Sequence, residues 1–210
     1  MIRILIGDDN AIVREGLKHI LANTGDMTVS GEAETGQQVL EKVRQRSFDV
    51  LLLDVDLPGR NGLEVLKQIK SELPRFPILV LTTHPGEQYA LRVLRAGASG
   101  YLTKETALEQ LIGAIRKVSA GGRYISPALA ETLAIHAAYD TSKLPHETLS
   151  DREYQVFCMI ASGKTISQIA VELSLSVKTI STHRARLLEK MQMRNNSELT
   201  RYALQHRLVD

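Results

Sequence analysis

The sequence predicts an α/β domain built on a doubly wound, five-stranded parallel sheet, followed by an all-α domain that contains a helix-turn-helix. β-branched or aliphatic runs alternate with amphipathic helical patterns over residues 1–120, which is typical of a parallel sheet covered on both faces. From residue 149 onward the patterns are helical, and two helices are separated by only Ser174-Leu175-Ser176. A chain of 210 residues is long enough for both domains to bury a core.

Composition places the chain among ordinary globular proteins. Hydrophobic residues make up 43% and charged residues 24%, which argues against disorder or a coiled coil. Cys158 is the only cysteine, so no intrachain disulfide can form and a cytoplasmic location is expected. Charged residues follow Met1 too soon for a signal peptide, and no apolar run approaches the length of a membrane span. We therefore expect no membrane partner.

Five β/α repeats are expected in the first domain, which we assign to residues 1–120. The predicted strands are Ile2–Ile6, Met27–Gly31, Val50–Leu53, Ile78–Leu81 and Gly100–Leu102. The predicted helices are Ala11–Asn23, Gly36–Arg46, Gly62–Glu72, Gly86–Ala96 and Ala107–Ala120. Acidic residues follow the first and third strands, which places these strands side by side at the centre, as in the strand order 2-1-3-4-5.

A linker is expected at residues 121–148. It starts at Gly121-Gly122, continues with a short helical pattern at 127–138 and ends in a polar stretch that contains Pro145. Such a segment is typical of a linker that is partly helical and partly flexible.

The second domain, residues 149–210, begins with a capping box, because Glu153 lies three residues after the potential cap Ser150. The apolar face of that first helix consists of Tyr154, Val156, Phe157 and Ile160. Further helices are predicted at Ile166–Leu173, Val177–Met191 and Ser197–Arg207. This domain carries nine basic and six acidic residues, whereas residues 1–120 carry 15 of each. A polyanion is therefore expected to bind the second domain.

Polar side chains follow four of the predicted strands: Asp8 and Asp9, Asp54, Thr82 and Lys104. The carboxyl ends of parallel strands meet at one edge, so three carboxylates, a hydroxyl and an ammonium should converge there. This combination suits a divalent cation and a phosphoryl group. Mg²⁺ prefers oxygen ligands in octahedral geometry, and Asp9 and Asp54 are the expected direct ligands, with Asp8 holding a water. Without a cation, crowding should raise the pKa of at least one carboxyl group.

Asp54, at the end of a central strand, is the candidate nucleophile. An ionised carboxylate there could attack a phosphoryl donor and form an acyl phosphate. Lys104 would pair with the new charge and Thr82 would donate a hydrogen bond to a phosphoryl oxygen. We expect these contacts only after phosphorylation, so they would switch the packing of the fourth and fifth β/α units. Tyr101 could follow by turning inward.

Each of these residues also has a structural interpretation. Asp9 or Asn10 could simply cap a helix, and Asp54 could be a loop residue. Thr82 could bond to the backbone, Lys104 could be a solvated charge and Tyr101 a core residue. The joint arrangement favours a site, because independent caps rarely fall at four strand ends with these chemistries.

Asp8-Asp9, Leu-Leu-Leu-Asp54-Val-Asp-Leu-Pro-Gly, Leu-Thr82-Thr and Gly-Ala-Ser-Gly-Tyr101-Leu-Thr-Lys104 resemble the receiver domain of bacterial two-component response regulators. The resemblance implies that Asp54 accepts a phosphoryl group from a sensor histidine kinase. It also implies Mg²⁺ on Asp9, Asp54 and the backbone carbonyl of Asp56, with Thr82 and Lys104 assisting and Tyr101 as the switch aromatic. Such a protein is not an enzyme beyond its own phosphorylation and dephosphorylation.

Two features depart from that pattern. Glu105 follows the lysine where many receivers have proline, which leaves the geometry of that peptide open. Asp56 and His84 stand at positions that tune the phosphoryl lifetime in the family, so this lifetime is not predicted.

The second predicted helix of the helix-turn-helix carries the expected nucleic-acid contacts. Its core positions and those of its partner helix are Ile169, Ala170, Leu173, Leu175, Val177 and Ile180, and Ser176 is its cap. The remaining faces present Lys178, Thr179, Ser181, Thr182, His183, Ala185 and Arg186. Such a helix fits the major groove of B-DNA. The alternative is a small helical bundle with a solvated basic face.

Leu149-Ser-Asp-Arg-Glu153, Ile169-Ala170 and the run from Ser176 to Leu188 resemble the LuxR-type domain of NarL/FixJ response regulators, over residues 146–210. The resemblance implies that Lys178, Ser181, Thr182 and Ala185 face bases, whereas Thr179, His183 and Arg186 contact phosphates. Ala185 lies where relatives often have a longer residue, which suggests a different site preference. The last helix could form a dimer face or simply close the bundle.

The expected function is phosphorylation-controlled regulation of transcription, with homodimers binding an inverted repeat in double-stranded DNA. RNA polymerase is a further candidate partner. One alternative is a phosphohydrolase that uses Asp54 and Asp56 as nucleophile and acid/base, as in haloacid-dehalogenase-like enzymes, although the chain lacks their cap. Another is a regulator whose DNA binding does not depend on phosphorylation.

Overall fold

Five apolar runs pair into one parallel sheet in the computed structural model, which describes residues 1–45, 47–83, 87–106, 108–126, 129–131, 144–206 and 208–209. The chain divides into two compact units. The first comprises Met1–His84 with Ala90–Ser126, and the second Pro127–Asp210 with Pro85–Tyr89. The predicted domain bounds at residues 120 and 148 stay a prediction.

In the described residues from 1 to 126, five strands alternate strictly with five helices. The strands are β1 (Ile2–Gly7), β2 (Met27–Ala33), β3 (Val50–Asp54), β4 (Ile78–Thr82) and β5 (Gly100–Thr103). The helices are α1 (Ala11–Ala22), α2 (Gly36–Arg44), α3 (Gly62–Glu72), α4 (Glu87–Arg95) and α5 (Leu108–Ser119). All strand pairs are parallel and the order is β2-β1-β3-β4-β5, which confirms the predicted fold class.

The strands continue past the ends predicted from the sequence, because backbone pairing does not stop at the last apolar residue. Asp54 pairs with Leu81, and Thr82 pairs with Thr103. Asp54 and Thr82, expected directly after their strands, are instead the last residues of β3 and β4. Their backbones are held by the ladder, so their side chains start from a fixed position.

Apolar side chains cover the sheet on both faces. Every residue of β3 and β4 is buried. One cluster packs β1, β3 and β4 against α1 and α5, and Leu21, Leu52 and Ile115 are almost fully inaccessible within it. Burial of each such side chain stabilises the fold by roughly 1.5 to 3 kcal/mol. The polar edge of the sheet therefore lies on a well-packed core.

The second unit is helical in its described part. Its helices are α6 (Asp151–Ala161), α7 (Ile166–Glu172), α8 (Val177–Met191) and α9 (Asn196–Gln205), preceded by a 3-10 turn at Pro145–Thr148. The capping box of Ser150 and Glu153 is present, and Ser176 caps α8 by accepting from the backbone N–H of Thr179 at 3.0 Å. Most of the helix predicted at 127–138 lies outside the described residues, although 129–131 are helical.

The turn between α7 and α8 is tight. Ser174 adopts a left-handed backbone (φ 52°), and the N–H of Leu175 donates to the carbonyl of Ala170 at 2.9 Å. Ile169, Leu173, Ile180 and Leu187 are fully or almost fully buried. These contacts form the predicted helix-turn-helix. Among the helices that the structure describes, none combines the length and apolarity needed to cross a membrane.

Candidate functional site

Four strands end at one edge of the sheet and bring the predicted polar residues together. Asp8 directly follows β1, and Lys104 directly follows β5. The Nζ atom of Lys104 lies 2.7 Å from Oδ2 of Asp8 and 2.7 Å from Oδ2 of Asp54. The backbone N–H of Lys104 donates to the carbonyl oxygen of Thr82 at 2.8 Å. We call Asp8, Asp9, Asp54, Thr82 and Lys104 the phosphoryl site.

Three carboxylates of the phosphoryl site could share a cation. Ligand atoms of Asp8, Asp9 and Asp54 lie within 4.8 Å of one another. Asp8 and Asp54 are buried, whereas Asp9 is exposed. Carboxylate oxygens are the ligands that Mg²⁺ prefers, and one exposed member leaves room for waters and phosphate oxygens. The residues present therefore fit a magnesium ion.

The crowding of carboxylates changes their protonation. The pKa of Asp54 is raised to about 6, first by burial and then by the charge of Asp56, while Lys104 opposes both. The pKa of Asp9 is also raised, first by burial and then by the charge of Asp8. Burial lowers the pKa of Lys104, but Asp54 and Asp8 together outweigh this effect and raise it. One ammonium does not balance the negative charge, so a bound cation would be favourable.

Short polar contacts set the loop that follows β1. Asn10 accepts hydrogen bonds from the backbone N–H groups of Ile12 and Val13 and so caps α1. The backbone N–H of Asn10 donates to Oδ1 of Asp8 at 2.9 Å. The capping role considered for Asp9 or Asn10 therefore belongs to Asn10, and Asp9 is not needed for it.

The loop after β3 packs closely against α3. Asn61 is fully buried and caps α3 by accepting from the N–H of Leu63 at 2.7 Å. The N–H of Gly62 donates to the carbonyl of Val55 at 2.9 Å. A side chain at residue 62 would collide with the carbonyl oxygen of Asp54 and come within 2.6 Å of Cα of Val55. Glycine is therefore required for the helix to approach the phosphoacceptor candidate.

The expectations about the switch stay predictions. Lys104 pairs with Asp8 and Asp54, because two buried carboxylates attract its ammonium group. Tyr101 is buried, with 7% of its surface exposed, and burial raises its pKa. Asp56 is half-buried, Glu105 is exposed, and His84 lies outside the described residues.

The predicted nucleic-acid contacts lie on α8, and most are exposed. Exposed are Lys178, Ser181, Thr182, Ala185 and Arg186, whereas Thr179 and His183 are half-buried. The hydroxyl groups of Ser181 and Thr182 donate to carbonyls one turn back, Val177 at 2.8 Å and Lys178 at 3.0 Å. Their oxygens can still accept, because a hydroxyl has two lone pairs.

A second arginine of α8, Arg184, has a different role. It is half-buried, and its Nε donates to Oδ1 of Asn196 at 2.7 Å. Lys190 reaches the buried capping residue Glu153 at 2.6 Å. These two cations join α8 to α9 and α6, whereas Lys178 and Arg186 are exposed on the outward surface of α8.

Sequence reasoning missed Arg14. This residue is buried on α1, and its Nη1 donates to the backbone carbonyl of Asp8 at 2.8 Å. Its other nitrogens contact Glu32 at 3.1 Å and Glu34 at 2.5 Å. The available signal was its position: Arg14 falls on the same helical face as the buried Leu17 and Leu21, where a charge needs partners.

Comparisons with known proteins agree with both halves of the structure. The sequence model of the response regulator receiver domain family matches residues 4–116. The sequence model of the luxR family of bacterial regulatory proteins matches residues 147–203. The chain is 39% identical to the response regulator GacA of Pseudomonas protegens, over 100% of this chain and 99% of GacA. It is 35% identical to the response regulator UvrY of Escherichia coli (strain K12), over 100% of this chain and 97% of UvrY.

A solved structure of similar fold is RcsB from Salmonella enterica serovar Typhimurium, bound to promoter rprA in the presence of the phosphomimetic BeF3-. Its TM-score is 0.66 at 26% identity, covering 96% of this chain and 98% of RcsB. Another RcsB structure, with a TM-score of 0.59 at 25% identity, covers 98% of both chains and contains two dimers bound to two parallel DNAs. The chain therefore belongs to the two-component response regulators of the NarL/FixJ type, with a receiver domain followed by a LuxR-type DNA-binding domain.

Proposed function

We propose that Asp54 accepts a phosphoryl group from a sensor histidine kinase, and that this modification controls dimerisation and sequence-specific DNA binding. The observation that carries the proposal is the placement of Asp54 at the end of a central strand, 2.7 Å from the ammonium of Lys104 and beside two further carboxylates. Carboxylates in such sites perform covalent phosphoryl chemistry.

Mg²⁺ is the proposed cofactor. Asp9, Asp54 and the backbone carbonyl of Asp56 would hold it directly, with Asp8 beside them. When bound, it would neutralise the carboxylates and the transferring phosphoryl oxygens. The raised pKa values of Asp54 and Asp9 support this assignment, because burial and neighbouring carboxylates disfavour the ionised forms that a bound cation would favour.

The geometry supports the following transfer step. A carboxylate oxygen of Asp54 attacks phosphorus and forms a new O–P bond, while the bond from phosphorus to the donor breaks and the donor keeps its electron pair. Lys104 already lies at the carboxylate and would pair with a phosphoryl oxygen. The hydroxyl of Thr82, on the neighbouring strand end, would donate to another.

DNA binding is assigned to the outward surface of α8, with Lys178, Ser181, Thr182 and Ala185 toward bases and Thr179, His183 and Arg186 toward phosphates. The exposure of five of these seven residues supports the assignment. The dimers and DNA complexes of RcsB support a homodimer on DNA, and a two-fold dimer would match an inverted repeat. RNA polymerase is a further proposed partner, and the reducing cytoplasm is the proposed compartment, in keeping with the single buried thiol of Cys158.

The test is phosphorylation by a small donor. The full chain is incubated with acetyl phosphate and Mg²⁺ and weighed by mass spectrometry, next to Asp54→Asn and a sample with chelator. We expect one phosphoryl adduct in the unmodified chain and none in either control. Multiple turnover on phosphate esters would favour the phosphohydrolase alternative, and absence of an adduct in folded protein would favour phosphorylation-independent DNA binding.

A further inference from the structure

We infer that Arg14 is a positioning residue for the acidic loop of the phosphoryl site, and that the affinity for Mg²⁺ depends on its guanidinium fork. The inference rests on the proposed function, because it assigns a role in the same site. Arg14 belongs to α1 and does not reach the reacting atoms. It acts on the backbone that carries Asp8 and Asp9.

A guanidinium presents its N–H groups in a rigid plane and can bind several acceptors at fixed angles. In Arg14, Nη1 donates to the carbonyl oxygen of Asp8, whereas Nε and Nη2 contact Glu32 and Glu34. Glu32 lies within β2, and Glu34 directly follows the end of β2 at Ala33. Arg14 therefore clamps the backbone of Asp8 to the carboxyl end of the neighbouring strand.

Arg14 holds the peptide that links Asp8 to Asp9. The carbonyl that accepts from Arg14 belongs to the peptide between Asp8 and Asp9, so its orientation sets where the backbone of Asp9 begins. The N–H of Asp8 is also tied, to the carbonyl of Ala33 at 3.0 Å. Asp9 is the exposed member of the carboxylate cluster, and burial does not fix its side chain. Its position therefore depends on this anchored backbone.

Arg14 acts on the phosphoryl site through its hydrogen bond to Asp8 and not through its positive charge. The guanidinium of Arg14 is matched by two carboxylates, and Lys18 adds a second cation on Glu32 at 2.9 Å. The neighbours that shift the pKa of Asp54 are Asp56, Lys104 and Asp8. Arg14 is thus already neutralised by its own partners, and its effect on the phosphoryl site should pass through the Asp8 carbonyl.

The experiment compares variants of the full chain. Arg14→Lys keeps the positive charge but cannot span a carbonyl and two carboxylates. Lys18→Met is the matched control, since it removes the other cation from Glu32 and leaves the bond to Asp8 in place. Glu34→Gln loosens the fork without removing the arginine and serves if Arg14→Lys does not fold. Mg²⁺ binding is measured by titration calorimetry, and amide hydrogen exchange is followed at residues 9 and 10.

We expect Arg14→Lys to weaken Mg²⁺ binding by about tenfold or more, as is common when a partner that orients metal ligands is lost. Glu34→Gln should have a smaller effect in the same direction. Exchange at residues 9 and 10 should become faster in Arg14→Lys, while amides of β3 and α5 keep their rates. Lys18→Met should match the unmodified chain in both measurements.

Unchanged Mg²⁺ affinity in folded Arg14→Lys would overturn the inference, as would equal acceleration of exchange throughout the unit, which would indicate a general structural role. Acetyl phosphate labelling of the unmodified chain separates this result from the proposed function. If that chain neither binds Mg²⁺ nor is labelled, the proposed function fails. The exchange data still decide the role of Arg14, because faster exchange in Arg14→Lys is either confined to residues 9 and 10 or spread over the whole unit.

Discussion

The phosphoryl site and the outward surface of α8 differ in where their interactions are made. In the phosphoryl site, the ammonium of Lys104 contacts two carboxylates that are each only 3% exposed. On α8, Lys178 and Arg186 point into solvent, and the hydroxyls of Ser181 and Thr182 donate to their own helix. The interactions of the phosphoryl site are made within the chain, whereas the exposed side chains of α8 are available to a partner. Substitutions in the first should change stability, and substitutions in the second only binding.

The largest effect is expected from Lys104→Met. Removing one partner of a buried ion pair leaves the others uncompensated, which typically costs 3 to 5 kcal/mol. Because the lysine side chain is 17% exposed, we expect the free energy of unfolding at pH 7 to fall by about 2 to 3 kcal/mol. Urea denaturation measures this, with Lys18→Met as a surface control. Saturating Mg²⁺ should recover much of the loss, and equal loss with and without Mg²⁺ would contradict this explanation.

In the absence of metal, Asp54→Asn should raise the free energy of unfolding, by somewhat less than Lys104→Met lowers it. Its pKa rises from 3.8 to about 6 in the folded state, so the folded chain binds more protons than the unfolded chain between these values. Stability is therefore lost as the pH rises through 4 to 6, and the loss persists at pH 7. A shift of this size corresponds to roughly 3 kcal/mol, of which we expect about 1 to 2 kcal/mol to be regained, because the amide still needs partners.

Denaturation from pH 4 to 8 checks this prediction. The two chains should be similar near pH 4 and diverge above pH 6, with Asp54→Asn the more stable. Mg²⁺ should narrow the gap, since it stabilises the unmodified chain more. If Asp54→Asn were less stable than the unmodified chain at pH 7, the phosphoryl site would not be electrostatically strained.

On α8, two arginines in one helix allow a matched comparison. Arg186→Ala should weaken DNA binding and lower the salt slope of the affinity by about 1, because one phosphate contact is lost. Stability should stay within about 0.5 kcal/mol, as for most surface substitutions. Arg184→Ala should do the reverse: it loses the hydrogen bond to Asn196, which is worth roughly 1 kcal/mol, and keeps the salt slope. Equal salt slopes in both variants would move the phosphate contacts elsewhere.

The same contrast explains what the sequence could predict. Alternating apolar runs predicted the parallel sheet, and the acidic residues after the first and third runs predicted its strand order. Asp54, Thr82 and Lys104 were found because polar residues end the apolar runs. Arg14 was missed because the residues it contacts, Glu32 and Glu34, are far from it in sequence and have no periodic signal. The buried position of Tyr101 and the ion pair of Lys104 also depend on packing between distant segments. On α8, helical periodicity predicted the exposure of five of the seven proposed contacts, but not that of Val177, which was expected in the core and is 50% exposed.

The smallest effect on stability is expected for an ion pair that is not buried. Asp26 and Arg116 form an ion pair at 2.8 Å on the surface of the first unit, and the hydrogen bond from Arg116 is the main reason that the pKa of Asp26 falls from 3.8 to about 2. A lowered pKa means that its contribution to stability is present above pH 4 and is lost as the pH falls toward 2. Solvent and salt screen such exposed pairs, so Asp26→Asn should change stability at pH 7 only slightly, and less in 1 M salt. Thermal unfolding of both chains at pH 2 and pH 7 provides the measurement. If Asp26→Asn lowered the free energy of unfolding as much as Lys104→Met, burial of the ion pair would not matter. Charge pairing alone would then determine the cost both at the phosphoryl site and on the protein surface.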